Sequence, residues 1–401
     1  MEENFIRMKS RVEIILYIVL AGGVSLYAGE RIGHALWHIS GWNCTVLTSV
    51  FCAVSMLLIL FQGAVKIPRN RSFTACYRIV TWISSLYVAY LIYLFLSLVP
   101  LDILALIEKI PGFPLQWLDF TNDFLIGTGI SAGFLIYGMI HARSLRTVQY
   151  SAAIPGLNRP LRIVQLSDLH MGSVIGKSQI RKIAARANAL HPDLIAVTGD
   201  LFNHNDVREC AHPDELVQIL KELHSTYGTF AVTGNHDPSP GDLKFREFLQ
   251  DADITLLNNE TIELPSIYLT GRTGNTLKHR PLMHTWFSRP VPEEGHAPKP
   301  VVLLDHYPDS FIEAEELGFS LLLAGHTHNG QYFPCNYLIR RRYRGTLRHG
   351  YTQIRHVKCI VSSGSGFFQI PIRVGTDSEI VCVDLVPDAA FPSDKKIPGK
   401  A

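Results

Sequence analysis

The sequence predicts two folds in series: a multi-pass α-helical membrane domain, then an α/β layered sandwich. Three observations predict this. Charged residues make up only 18% of the chain, below the usual quarter, and the shortfall is concentrated in the first 145 residues. From about Pro160 short apolar runs alternate with amphipathic ones, the pattern of strands exchanging with helices. Each of five apolar runs in that second part then stops at a cluster of metal-capable side chains. A length of 401 residues suits two such domains better than one.

The membrane domain rests on four apolar stretches, Glu13–Ala28, Cys44–Val65, Ile79–Leu101 and Phe124–Ala142. A spanning helix needs about 20 apolar residues, and the first stretch is the shortest. Lys and Arg in short loops set the orientation. Arg7, Lys9 and Arg11 precede the first stretch; Lys66, Arg69, Arg71 and Arg78 lie between the second and third; Arg143 and Arg146 follow the fourth. The other two loops carry mainly Arg31 and Lys109, with Asp102, Glu108 and Asp119. This alternation predicts four spans of an inner or plasma membrane, with both termini and the soluble domain in the cytoplasm. A cleaved signal peptide at the first run would leave three spans, against the basic bias. No polar cluster marks a transport path, which disfavours a transporter. The expected boundaries are 1–146 for the membrane domain, 147–159 for a linker, 160–387 for the soluble domain and 388–401 for a disordered tail.

In the soluble part "LRIVQLSD", "DLIAVTGD" and "TFAVTGNHD" read as strands, followed later by "PVVLLDHYP", "SLLLAGHTH", "KCIVSSG" and "EIVCVDLVP". "KSQIRKIAARANAL" and "PDELVQILKELHS" carry apolar residues at helical spacing. Residues 290–300 form a Pro-, Glu- and Gly-rich loop. The seven cysteines include no CxxC pair and no zinc-finger spacing. A net charge of +2 gives no nucleic-acid signature, so no nucleic-acid partner is expected.

The chemistry sits where the strands end, as it does in open α/β sheets. The clusters are Asp168 with His170, Gly199 with Asp200, Asn235 with His236 and Asp237, Asp305 with His306, and His326 with His328. Asp168, His170, Asp200, Asn235, His306, His326 and His328 together overfill one four-coordinate zinc. They suit two divalent ions that share a carboxylate, and imidazole, carboxylate and amide oxygen favour manganese, iron or zinc over calcium. Ser363 and Ser365 lack a paired base, and "GSG" lacks the lysine and spacing of a phosphate loop.

The ordered set "SDLH", "TGD", "TGNHD", "DHYP" and "AGHTHNGQ" resembles the calcineurin-like metallophosphoesterases. "IVSSGSGFFQIPIRVGTDSEIVCVDL" is similar to the tail of their membrane-associated bacterial branch, which includes enzymes that hydrolyse UDP-2,3-diacylglucosamine in lipid A synthesis. The resemblance spans residues 160–387. It implies a four-layer α/β/β/α sandwich with a dinuclear site. Asp168, His170 and His328 would hold one ion, and Asn235, His306 and His326 the other, with Asp200 bridging. His236 would sit beside the scissile phosphate and assist charge stabilisation or protonation of the leaving group. Hydroxide generated between the ions would attack phosphorus in line. The implied partners are a phosphorylated, lipid-linked substrate such as UDP-2,3-diacylglucosamine and membrane lipid. A soluble nucleotide, another phospholipid, or a non-catalytic membrane scaffold are the alternatives.

One departure from the family pattern matters. Its second motif often reads GDxxD, and the last Asp orients the GNH histidine; here "GDLFN" puts Asn203 there. Asn203 would accept from His236 without charge, and Asp206 or Asp237 would compensate. Beyond the ligands, Arg272 lies in a segment expected to face substrate. Arg340, Arg341 and Arg342 form a basic run expected either to bind phosphate or anionic lipid or simply to be solvated.

Overall fold

A computed structural model describes all residues except 1, 65–67, 69–70, 111–119, 275–279, 292–297 and 389–401; the side chains of 2–17, 39, 62–64, 71–72 and 120–121 also lie outside the description. Lys66, Arg69 and Asp119, most of the loop 290–300 and of the expected tail 388–401, and the side chains of Arg7, Lys9, Arg11 and Arg71 therefore lie outside it. The chain divides into two compact units, Met1–Gly138 and Met139–Ala401.

The first unit is built from α1 (Glu2–Ser40), α2 (Cys44–Ala64), α3 (Arg71–Glu108) and α4 (Phe120–Ala142). Among the described residues three helices are long and apolar enough to cross a membrane, through Cys44–Phe61, Phe73–Glu108 and Asn122–Ala142. The first expected stretch lies within α1. Several loop assignments need correction: Arg31 lies within α1, and Arg71, Arg78, Asp102 and Glu108 lie within α3. A buried polar cluster also exists where none was expected. The Arg31 guanidinium pairs with Asp102 and lies 3.7 Å from Asp123, and Tyr27 donates its hydroxyl to Asp102. Charges that neutralise one another are tolerated in an apolar helical unit, so the helices need not end to expose them. Leu91, Leu94, Leu98 and Ile59 pack nearby.

The second unit begins earlier than the sequence suggested. Residues 145–154, assigned to the end of the membrane domain and a linker, form β1 (Leu145–Ile154). It pairs in parallel with β12 (Ser378–Pro387), Leu145 opposite Ser378 and Ile154 opposite Pro387. Strands β2 (Leu161–Leu166), β3 (Leu194–Thr198), β4 (Thr229–Val232) and β5 (Ile254–Leu256) complete a mixed sheet of order β1-β12-β2-β3-β4-β5. A second mixed sheet has the order β10-β11-β9-β8-β7-β6, from β6 (Glu260–Glu263), β7 (Tyr268–Gly271), β8 (Val301–Leu304), β9 (Leu321–Ala324), β10 (Gly350–Ile354) and β11 (Val357–Val361).

Strand alternation sorts the apolar side chains into three cores. Ile163, Ala196, Val232, Leu304, Leu323 and Ile360 meet between the sheets. Val164, Val197 and Ala231 face the other way and pack against α5 (Lys177–Asn188), α6 (Pro213–Lys221) and α7 (Leu243–Asp251). Val301, Leu303 and Leu322 pack against α8 (Phe311–Glu316) on the far side of the second sheet. Each fully buried side chain of this size contributes about 1.5–3 kcal/mol. Local signals fix the helix starts: Pro213 opens α6 with Asp214 and Glu215 in its first turn, and the Asp242 carboxylate accepts from the Phe245 amide at the head of α7. A last helix, α9 (Cys335–Arg342), has no buried residue.

Candidate metal centre

Five interior strands of the two sheets, β2, β3, β4, β8 and β9, deliver their polar clusters to one place. Asp168 and His170 follow β2, Asp200 follows β3, Asn235 and His236 follow β4, His306 follows β8, and His326 and His328 follow β9. The backbone there is unusual. Asp168, His170, Asp200, His326 and His328 all have φ between 47° and 71°, the left-handed region. Non-glycine residues hold that region at a cost of about 1–2 kcal/mol each, and such residues concentrate at functional sites. Close approach explains two glycines. A Cβ at Gly234 would lie 2.1 Å from Asp200 Oδ1, and one at Gly325 would lie 1.9 Å from Ser167 Oγ.

Two groups result, each able to hold a cation: Asp168, His170 and His328, and Asp200, His306 and His326. In the first, His170 Nε2 lies 3.0 Å from His328 Nε2, which is 3.3 Å from Asp168 Oδ1. In the second, His306 Nε2 lies 3.2 Å from His326 Nδ1 and 3.1 Å from the amide oxygen of Asn235. Asp200 Oδ2 stands between the groups, 3.6 Å from His170 Nε2 and 3.3 Å from His306 Nε2.

The donor chemistry fits divalent metal. His306 Nδ1 donates to the Thr198 carbonyl at 3.0 Å, which directs the Nε2 lone pair at the site. Imidazole nitrogens facing one another at such distances share either a proton or a cation. The ionisation pattern shows the same demand for positive charge. Burial opposes charge on His306, but Asp200 outweighs it and pushes the imidazole up to about 10. Burial and the neighbouring imidazolium lower His326 to about 3, and burial lowers His170. Burial would raise Asp168 and Asp200, yet the imidazoles of His328 and His306 hold both well below the usual carboxylate range.

The other sequence expectations fare differently. His236 is at the mouth of the site, its backbone amide donating to Asp200 Oδ1 at 2.8 Å and its ring 5.4 Å from that of His170. Asn203 makes no hydrogen bond to His236. Its amide meets His204 and Glu209, and its oxygen accepts from the Gln369 amide at 3.3 Å. The Asp237 carboxylate accepts from the amides of Phe202 and Gly234 and so joins two ligand loops. Burial raises it to about 7. Asp206 caps a short turn and pairs with Arg208. Arg272 is built into the protein instead of facing open space. It is 4% exposed and bonds Glu313, Ser310 and the Pro281 carbonyl, because β7 carries it under α8.

Three features escaped sequence reasoning. Phe368 lies tilted against the rings of His236 and His170, at 4.4 and 5.2 Å between centroids. Arg373, wholly buried, donates to the carbonyls of His328, Ser363 and Gly366, and burial lowers it to about 10. Glu209, also buried, accepts from His204 at 2.8 Å and from the Ser173 amide. The only trace of the first two was the run "GFFQIPIR", whose polar and aromatic members have no partner nearby in sequence.

A layered α/β fold with two groups of cation donors at its strand ends suits a metal-dependent hydrolase. Comparison with known proteins agrees. Residues 161–330 match the family described as calcineurin-like phosphoesterase. A metallophosphoesterase of Helicobacter pylori is 30% identical over 287 residues, covering 70% of this chain and 75% of its own. One of Campylobacter jejuni is 31% identical over 259 residues, covering 63% and 67%. A Danio rerio protein named a transmembrane protein with metallophosphoesterase domain is 29% identical over 284 residues, covering 64% and 61%. The chain belongs to the calcineurin-like metallophosphoesterases.

Proposed function

We propose that this chain is a membrane-embedded, dinuclear hydrolase of a lipid-linked phosphoester. The position of Asp200 carries the dinuclear reading: one carboxylate oxygen lies within 3.6 Å of a nitrogen from each cation-holding group. In this reading Asp168, His170 and His328 hold one ion, Asn235, His306 and His326 hold the other, and Asp200 is shared. Two divalent ions, manganese, iron or zinc, supply charge neutralisation for the phosphoryl oxygens and activate a water.

The protein's own residues do the rest. Burial lowers the His236 imidazole, so the ring is neutral at neutral pH and serves as a hydrogen-bond donor to a phosphoryl or leaving oxygen. Phe368 covers one side of that ring. Three observations support a lipid-linked substrate: three helices apolar enough to span, a relative named as a transmembrane protein, and an exposed Phe333, Tyr337 and Leu338 at α9 beside arginines. The basic loops support a multi-pass topology with the catalytic unit in the cytoplasm.

The test strips full-length protein in nanodiscs with a chelator and reloads it with manganese, iron or zinc. Loading of about two ions per chain and metal-dependent cleavage of an aryl phosphodiester are expected. Acylated substrates, UDP-2,3-diacylglucosamine among them, should be cleaved faster than their deacylated forms. Equal cleavage removes the lipid-linked reading, and no cleavage with any of the three metals removes the hydrolase reading. A carboxy-terminal reporter active only outside the cytoplasm should stay silent.

A further inference from the structure

Four arginines meet at one cavity beside the candidate metal centre. The cavity, about 520 Å³, is lined chiefly by Tyr337, Arg340, Arg341, Tyr343, Arg344 and Arg348. Arg340, Arg341 and Arg344 are exposed and Arg348 is half-buried. Among the described residues none of the four is paired with a carboxylate; Arg348 bonds only the Asn329 side-chain oxygen through its guanidinium. Arg342, which the sequence grouped with Arg340 and Arg341, does not line this cavity and bonds Tyr343.

The cavity is tied to the ligand loop. Arg348 Nε donates to Asn329 Oδ1 at 3.2 Å, and the Arg348 carbonyl accepts from Thr327 Oγ1 at 2.5 Å. Thr327 and Asn329 flank His328. Helix α9 rests on the same turn: the Asn336 amide donates to the Tyr332 carbonyl at 3.0 Å, and a Cβ at Gly330 would lie 2.3 Å from Asn336 Cα. Four like charges without compensation repel one another, and an anion would reverse the sign of that interaction. Guanidinium forks match phosphate oxygens in pairs, which lysines in the same places would not.

The geometry points to a second anion subsite: this cavity receives a phosphate carried by the same molecule whose phosphoester is cleaved at the metal centre. The inference rests on the hydrolase reading above and narrows its substrate to phosphoesters with a second phosphate group. That group can belong to a soluble molecule or to a lipid headgroup.

The test uses metal-loaded, full-length protein in phosphatidylcholine nanodiscs and two aryl phosphodiesters that differ by one phosphate on the alcohol. The doubly phosphorylated ester should be favoured at least about tenfold in kcat/KM, mainly through KM, the size of one charged hydrogen-bonded contact. In R341Q/R344Q this preference should fall to about twofold or less, while R341K/R344K should keep part of it, since charge survives and the fork does not. Equal kcat/KM for the two esters in the native sequence overturns the subsite, as does full preference in the glutamine variant. Neither outcome touches the hydrolase reading, which instead falls, and this inference with it, if the native chain cleaves neither ester. Loss of preference on adding inorganic phosphate assigns the cavity to soluble phosphates. Loss on replacing phosphatidylcholine with phosphatidylglycerol assigns it to headgroups. If neither competitor acts, the preference arises elsewhere and the subsite is refuted.

Discussion

Two regions of this chain bury charge, and they do so in opposite ways. In the helical unit Arg31 meets Asp102 and Asp123, so opposite charges satisfy one another within the protein. At the strand ends of the second unit, Asp168 and Asp200 meet histidines whose nitrogens point at each other 3.0–3.2 Å apart. The first cluster draws its counter-charges from within the chain. The second asks for positive charge from outside the chain, and raises His306 to about 10 in its place. A buried charged cluster therefore signals structure when its members pair among themselves, and signals a ligand when they converge on a shared space.

That contrast can be broken experimentally. The largest effect is expected for Asp200→Ala, which removes the carboxylate common to both groups. Hydrolysis should fall more than about 10³-fold, the worth of several kcal/mol of charge stabilisation, and elemental analysis should show fewer ions per chain. Arg31→Met should do the reverse. Leaving Asp102 and Asp123 without their cation should cost about 3–5 kcal/mol in unfolding experiments, while the metal content of the folded fraction stays unchanged. Arg373→Met sits between these cases, because it removes a buried cation that holds the His328 and Gly364 loops by their carbonyls. Metal affinity should drop about 10–100-fold, read by chelator competition. The smallest effect is expected for Asn203→Asp. Since the amide faces Glu209 and not His236, the pH profile of hydrolysis should not move, and a change in that profile would restore the orienting role expected from the family motif.

The ligands were legible in the sequence because each sits directly after an apolar strand, where local pattern and chemistry coincide. What supports them was not. Arg373 reaches His328 and Phe368 reaches His236 across loops far apart in the chain, and no spacing rule connects such pairs. Arg31 misled for the same reason. A lone arginine reads as the end of a span until its partner Asp102, 71 positions on, is seen beside it. Strand β1 escaped because it lies at a sheet edge, where exposed and half-buried residues mix and the apolar alternation is weak. The arginine cavity was half legible: "RRRYR" announced the charge, but only the fold separates Arg342 from the residues that share the space.

The parallel pairing of β1 with β12 has a consequence for how the protein is made. Leu145 finds its neighbour only when Ser378 exists, so a ribosome must read past every candidate ligand to residue 378 before the strand following α4 can be zipped into its sheet. Until then the nascent chain exposes an unpaired edge just after its last apolar helix, a state that invites aggregation or chaperone capture. A stop codon between residues 329 and 377 would thus strand β1 with no partner, although every candidate ligand had already been translated.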